Sequence, residues 1–251
     1  MTRPAAENIL HLIDFLAAQT GPVTASRIRN SLSLPRSTVY DLLAVAITQG
    51  YAVHIPENRR YTLGLRAFEL GSEYQRQQPL VLRATPLLKR LVSDTRLSAH
   101  LAVLHGTDVI YLVEERTRRG PWLVSEVGVR LPAHLTATGR AILAHLPPAQ
   151  LRALFPTAKL ELVLRTSYGP NSVGELRRIL SATRRHGYAL EHSEVTEGLS
   201  SIARPVFDHT GWPIASVALT GSHGAVTTQL DHLATLVSSV AMKLSSRTTQ
   251  A

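Results

Sequence analysis

Ile9, Leu12, Ile13 and Leu16 recur at i, i+3, i+4 and i+7, a spacing that predicts an amphipathic helix over residues 5–19. Gly21-Pro22 stops it. Thr24 then stands where an N-cap belongs, ahead of a second short helix that buries Ile28 and Leu32. Pro35 suits the first turn of a third helix. Its apolar face is Val39, Leu42, Leu43, Ala46 and Ile47, and Gly50 closes it. Two short β-like runs, 51–55 and 61–63, flank the polar turn Pro56-Glu57-Asn58-Arg59-Arg60. Three short helices and a basic-tipped hairpin make a winged helix-turn-helix; the plainer alternative is a small helical bundle with a hairpin attached.

The outward face of the third helix favours DNA. Arg36, Ser37, Thr38, Tyr40 and Asp41 cluster at its N-terminal end, the end that enters the major groove in helix-turn-helix proteins. Hydroxyls and free amides there suit phosphates, while Arg and Tyr reach further, and Thr24 begins the preceding helix. Arg59 and Arg60 at the wing tip are placed to touch the backbone or minor groove.

From Gly64 to about Gln78 the helical pattern continues through Leu65, Phe68, Glu69, Leu70 and Tyr74, which predicts a linker helix over 65–78 and a domain boundary near 76–80. Beyond it the periodicity predicts a helix over 82–95 with Leu87, Leu88, Leu91 and Val92 inward. Strands follow at 99–105 and 109–115 around Gly106-Thr107-Asp108, with a third at 122–127. Helices are expected at 138–145, 148–154 and 173–186, strands at 198–207 and 213–220, and a closing helix at 227–246. Antiparallel strand pairs with helices at both ends make an α+β domain over 79–251.

Composition narrows the classes. The chain has 251 residues, 44% of them hydrophobic, and no Cys. That excludes a disulfide framework, a thiolate zinc site and a cysteine nucleophile. The longest apolar run, 42–47, is far short of the roughly 20 residues that span a bilayer, and the N-terminus does not read as a signal peptide, so a cytoplasmic protein with no membrane partner is expected. The net charge of +9 invites a nucleic-acid reading. Its distribution does not carry that reading: residues 1–78 hold eight Arg against six acids, a net of +2, and the remaining +7 lies beyond them.

The residues Leu34-Pro35-Arg36-Ser37-Thr38-Val39-Tyr40, Gly50-Tyr51-Ala52-Val53 and Arg60-Tyr61-Thr62-Leu63-Gly64 together resemble the DNA-binding domain of IclR-type transcriptional regulators. The resemblance continues through Gly128-Val129-Arg130-Leu131-Pro132-Ala133-His134, Thr138-Gly139-Arg140-Ala141, Gly187-Tyr188-Ala189 and 197–208. It implies a winged helix-turn-helix over 1–64, a linker helix, and a GAF-like effector-binding domain that senses a small metabolite, often a carboxylic acid. It also implies a double-stranded operator, assembly as a homodimer or tetramer, and repression as the usual mode. The position after Tyr40 is usually basic in that family; here it is Asp41, which leaves the operator sequence open.

The family's effector pocket maps onto Thr136, Ala137, Thr138, Glu191, Leu199, Ser201, Ala218 and Thr220. A helix N-terminus and two threonine hydroxyls suit a carboxylate, though the same threonines could simply cap the helix. Glu191, Ser201 and Ala218 stand where short-acid sensors carry Asp, Cys and Ser. An effector other than glyoxylate, larger or less polar, is therefore expected.

Rival chemistry finds less support. His100, His105, His134, His192 and His223 have no metal-ligand spacing, so neither a metal nor another cofactor is expected, and His134 is expected to hydrogen-bond loop backbone. There is no GxSxG elbow, GxxxxGK[ST] loop or GxGxxG turn. Ser200 and Ser201 near His192 and Glu194 superficially suggest a hydrolase, but they begin a strand rather than a strained turn. A sequence-specific DNA-binding regulator tuned by an organic acid is the reading, against a metabolite-binding protein without DNA affinity and a small-molecule enzyme.

Overall fold

A computed structural model describes residues 4–77, 79–118, 120–157 and 161–245. The chain divides into two compact units, Met1–Gln77 and Gln78–Ala251.

The first unit runs α1 (Pro4–Ala17), β1 (Val23–Thr24), α2 (Ala25–Leu32), α3 (Arg36–Thr48), β2 (Ala52–Ile55), β3 (Arg60–Leu63) and α4 (Leu65–Gln77). Thr24 caps α2, its side chain accepting from the Arg27 amide at 3.3 Å. Leu12, Leu16, Ile28, Val39, Leu42, Leu43 and Ala46 form one core with Tyr61. Ile47 is exposed, because it lies one position beyond Ala46 and rotates off the buried stripe. The wing is a three-stranded antiparallel sheet ordered β1-β3-β2, and two-residue β1 escaped the pattern because it is too short to alternate. Gly64 is required: a Cβ there would collide with the Gly50 carbonyl.

The second unit runs α5 (Pro79–Thr95), β4 (Ser98–His105), β5 (Asp108–Glu115), β6 (Arg130–Pro132), α6 (Ala137–Leu143), α7 (Pro148–Leu154), α8 (Val173–His186), β7 (Ala189–His192), β8 (Leu199–Phe207), β9 (Pro213–Ser222), α9 (His223–Thr227) and α10 (Leu230–Leu244). Its strands form one antiparallel sheet in the order β6-β5-β4-β9-β8-β7. One face packs Leu101, Val113, Ile202, Val206, Val217 and Leu219 against α5 and α10. On the other face, Ala137 and Ala141 of α6 meet Ala189, Ala203 and Ala218. Five alanines let helix and sheet approach closely, and Gly139 faces the Ala133 backbone where a Cβ could not fit.

Two expected elements differ. Residues 122–127 are not a strand. The segment lies between Gly120-Pro121 and Gly128 at φ +86°, and the Arg116 side chain takes the carbonyls of Leu123 and Ser125 at 3.3 and 3.2 Å, which replaces a strand partner. The pairing with β5 falls to β6 instead. The closing helix is two helices: Ser222 caps α9, and the chain breaks at Gln229 before α10. The short strands β6 and β7 had no periodicity long enough to reveal them. Gln78, the Tyr74 side chain and Ser246 lie outside the described residues. No helix among the described residues is long and apolar enough to cross a membrane.

Candidate functional site

In the first unit, Arg36, Ser37, Tyr40 and Asp41 are exposed on the first turns of α3 and Thr38 is half-buried. The Arg36 guanidinium sits 5.6 Å from the Tyr40 ring centroid, which orders both side chains before any contact is made. A shallow recess between α2 and α3 is lined by Ser26, Arg29, Arg36 and Tyr40. Arg59 occupies the tip of the wing with φ +52°. Arg60 directly follows the turn as the first residue of β3; it pairs with Thr24 and Ile55, and its side chain donates to the Pro22 carbonyl at 3.3 Å. Strand pairing therefore fixes Arg60 on the rung that closes the turn, opposite Ile55, and Thr24 has its oxygen engaged as a cap.

In the second unit the sheet register builds a cavity floor from two cross-strand rows. One is Glu191, Ser201 and Thr220. The other is Ala203, Ala218, His100 and Glu114. A register shift at Leu101/Ala102 sets His100 opposite Glu114 and Ala102 opposite Tyr111. It turns Tyr111 and Glu114 to the cavity side while Val113 joins the opposite core. Thr136, Ala137 and Thr138 roof one side, and Leu123, Val124 and Ser125 cover another. All eight residues expected around an effector line this one cavity, together with His100, Tyr111, Ser125, Leu131, Val195 and Thr196. The cavity encloses about 430 Å³ of atom-free space out to its mouth.

Glu191 resolves into a structural role and a latent one. Its Oε1 accepts from the amides of Glu194 and Val195 at 2.8 and 3.2 Å, and its Oε2 accepts from Ser201 Oγ at 3.0 Å. Ser201 Oγ in turn meets Thr220 Oγ1 at 2.9 Å. Burial pushes the carboxyl up to about 7, against the pull of these donors and with the nearby Glu194 carboxylate adding to the push. Burial likewise pushes the Tyr111 phenol to about 12, opposed by the neighbouring Thr138 hydroxyl, so Tyr111 stays a donor. Burial and the Arg116 charge lower His100 to about 3. Neither His100 nitrogen makes a hydrogen bond, and Thr138 Oγ1 completes none of good geometry.

The surrounding frame is held by Arg140 of α6, which is buried. It donates to the carbonyls of His134 and Leu190, both at 2.8 Å, and its Nη2 pairs with Glu194 Oε1 at 2.9 Å. His134 Nε2 reaches the Val163 carbonyl at 2.8 Å, a contact with loop backbone. Sequence reasoning placed His100 only among metal candidates and did not single out Tyr111. The signal available was alternation: His100 shares its face with Ala102, and Tyr111 with Val109.

Ser200 Oγ stands between His192 Nδ1 at 3.0 Å and His223 Nδ1 at 2.9 Å. The serine is buried within regular β8, and Glu194 accepts from the His192 main-chain amide rather than its ring. No acid–imidazole–hydroxyl relay forms there. Among the described residues no group of three acidic or histidine side chains is placed to hold a metal.

Two family descriptions match the chain: "IclR helix-turn-helix domain" over residues 5–56 and "Bacterial transcriptional regulator IclR C-terminal" over residues 72–246. The HTH-type transcriptional regulator BhcR of Paracoccus denitrificans is 31% identical over 217 residues, 86% of this chain and 77% of that protein. The transcriptional repressor IclR of Escherichia coli is 26% identical over 87% of this chain and 80% of its own length. Among solved structures, an IclR transcriptional regulator from Alicyclobacillus acidocaldarius superposes with a TM-score of 0.82 at 21% identity, covering 97% of this chain and 98% of that one. An IclR homologue from Microbacterium hydrocarbonoxydans complexed with 4-hydroxybenzoate gives 0.77 at 24%, covering 96% and 98%. These relatives are named as transcriptional regulators and not as enzymes. A helix-turn-helix unit followed by a cavity-bearing α+β unit, matched over nearly the whole length, assigns this chain to the IclR family of bacterial transcriptional regulators.

Proposed function

We propose that this regulator is a repressor whose hold on a palindromic operator changes when a small organic acid fills the cavity of the second unit. The observation that carries this reading is the cavity itself: it is lined by buried hydrogen-bonding atoms of His100 and Thr138 that complete no hydrogen bond of good geometry within the chain. Each such atom costs about 1–3 kcal/mol until something satisfies it. In this reading residues 1–64 bind DNA, 65–78 link, and 79–251 sense the ligand.

Arg36 and Tyr40 read base edges, with Ser37, Thr38 and Thr24 near phosphate and Arg59 and Arg60 on the backbone beside the wing. Thr136, Ala137, Thr138, Glu191, Leu199, Ser201, Ala218 and Thr220 contact the ligand. The working unit is a homodimer or a pair of them in the cytoplasm. Leu65 and Phe68 of α4 are 69% and 71% exposed, an i,i+3 apolar pair that a second copy would cover. Ligand and operator need couple by only about 1–3 kcal/mol, a 5–150-fold change in affinity.

An electrophoretic shift on the DNA beside the protein's own gene, with and without carboxylates, polyols and aromatic acids, tests the whole reading. A shift that a carboxylate weakens is expected. No shift at low salt with folded protein would leave the second reading, a metabolite sensor without DNA affinity, which the exposed carboxylate of Asp41 on the recognition helix favours. Asp41→Arg should then move base preference if DNA is bound at all. Ligand responses unchanged by Thr138→Tyr or Ser201→Phe would place the effector elsewhere.

A further inference from the structure

His100 is 2% exposed, lines the cavity, and makes no hydrogen bond through either ring nitrogen. A neutral imidazole carries one donor and one acceptor, so both capacities are buried and unspent. The register explains how the ring got there. His100 lies opposite Ala218 on β9, whose single methyl leaves room, and opposite Glu114 on β5.

The charged and titratable groups facing it can be taken element by element. On β5, Tyr111 packs edge-on at 5.5 Å between ring centroids. Glu114 Oε1 lies 3.9 Å from Nδ1, too far for a hydrogen bond. It is already engaged by Arg116 Nε at 3.1 Å and by Ser125 Oγ at 3.3 Å. Across the cavity stands Glu191 of β7, its oxygens committed to two amides and to Ser201. On α6, Thr138 offers a hydroxyl that lies beside the Tyr111 phenol and completes no hydrogen bond of good geometry. No Arg or Lys is among the lining residues.

A carboxylate entering such a cavity loses its hydration and meets no fixed cation, which is costly unless an opposite charge appears beside it. We propose that His100 provides this charge by taking up one proton as a carboxylate ligand binds, so that the cavity holds an imidazolium–carboxylate pair and selects acids over their neutral analogues; the inference rests on the organic-acid reading above. The proton comes from solvent: one O–H bond of a hydronium ion or buffer acid breaks, its electron pair staying on oxygen, one N–H bond forms on the imidazole, and nothing is oxidised or reduced. The empty cavity keeps the ring neutral through burial and the nearby Arg116. The bound carboxylate favours the charged ring, and by linkage the protonated ring favours the carboxylate. Thr138 donates to the ligand's other oxygen, while Glu114 flanks the new cation from behind.

Isothermal titration of the full-length protein tests this with benzoate and glycolate as probes and benzamide and glycolamide as their uncharged counterparts. The titrations run at about pH 5.5, 6.5 and 7.5, in two buffers of different ionisation enthalpy. Below the His100 pKa of the complex, carboxylate affinity should fall by close to tenfold per pH unit with about one proton taken up per ligand. The amides should show neither. Glu191 faces the same cavity and would add a dependence of the same sign, so H100Q and E191Q are compared. The slope should persist in E191Q and vanish in H100Q.

If it persists in H100Q and vanishes in E191Q, Glu191 is the proton acceptor and the proposal is overturned. Carboxylate binding without proton uptake overturns it while leaving the organic-acid reading intact. Failure of both carboxylates to bind overturns the two together. Should H100Q not fold, the ring ¹⁵N shifts of His100 in the wild-type protein decide: imidazolium with benzoate bound supports the proposal, and neutral imidazole overturns it.

Discussion

The two units place function in opposite ways. In the first, the residues assigned to DNA all fall between positions 24 and 60 and are exposed or half-exposed on a small rigid scaffold. In the second, the assigned residues run from 100 to 220, are largely buried, and meet only because six strands pair in one register. Charge follows neither site: the unit with the recognition helix carries +2 and the larger unit +7. A surface that reads a polymer can be built from one helix and a turn, whose side chains need only be ordered and displayed. A site that captures a small molecule must remove it from water, and burial draws on segments from the whole domain.

Changes to the interior should accordingly cost stability, and changes to the surface should cost affinity. The largest effect is expected for Glu194→Ala, which strands the buried Arg140 guanidinium now paired at 2.9 Å. Leaving such a charge uncompensated costs about 3–5 kcal/mol. Urea denaturation should show the loss in the larger unit, with residues 4–77 unaffected. An unchanged midpoint would mean that the cavity's frame does not depend on this pair.

Next in size is the pH response of the cavity. Glu191 has its folded pKa raised from 4.5 to about 7. Its contribution is fully present below 4.5 and is lost as pH rises toward 7, by roughly 3 kcal/mol in all. His100 has the opposite sense. Its folded pKa is lowered from 6.5 to about 3, so its contribution is present above 6.5 and is lost as pH falls toward 3. Urea unfolding from acid to mildly alkaline pH should show E191Q removing the alkaline loss and H100Q the acid loss. Neither should alter operator affinity in the absence of ligand.

The surface comes next. Arg36→Ala should weaken operator binding by about 1–3 kcal/mol and relax base preference, while leaving urea stability near wild type. Arg59→Ala should lower affinity for all sequences and reduce the slope of log affinity against log salt by about 0.9. If Arg59→Ala changed sequence preference and Arg36→Ala did not, the roles of helix and wing would be reversed. Thr24→Ala is the smallest, about 1 kcal/mol from a lost cap, read as a lower melting point for the first unit.

Much of the fold is written locally. The spacing of apolar residues and the caps placed α7 at Pro148–Leu154 and α8 at Val173–His186 as expected. Thr24 and Ser172 accept from amides three residues on, and Gly187 ends α8 in the left-handed conformation. These signals act within one turn of chain, so a sequence contains them whole. The motifs around Arg36 and Thr138 carried the family in the same way.

What tertiary structure decided was everything that depends on a distant partner. The shift at Leu101/Ala102 turns Tyr111 and Glu114 toward His100, against the simple alternation of β5. Arg116 holds 122–127 out of the sheet by taking two of its carbonyls. Glu191 is committed to the amides of 194 and 195. The two nitrogens of His100 are left without partners because strands from four parts of the chain close around them. Period and capping are set by neighbours in sequence; register, burial and the ionisation they impose are set by residues tens of positions away, and exist only once the sheet has formed.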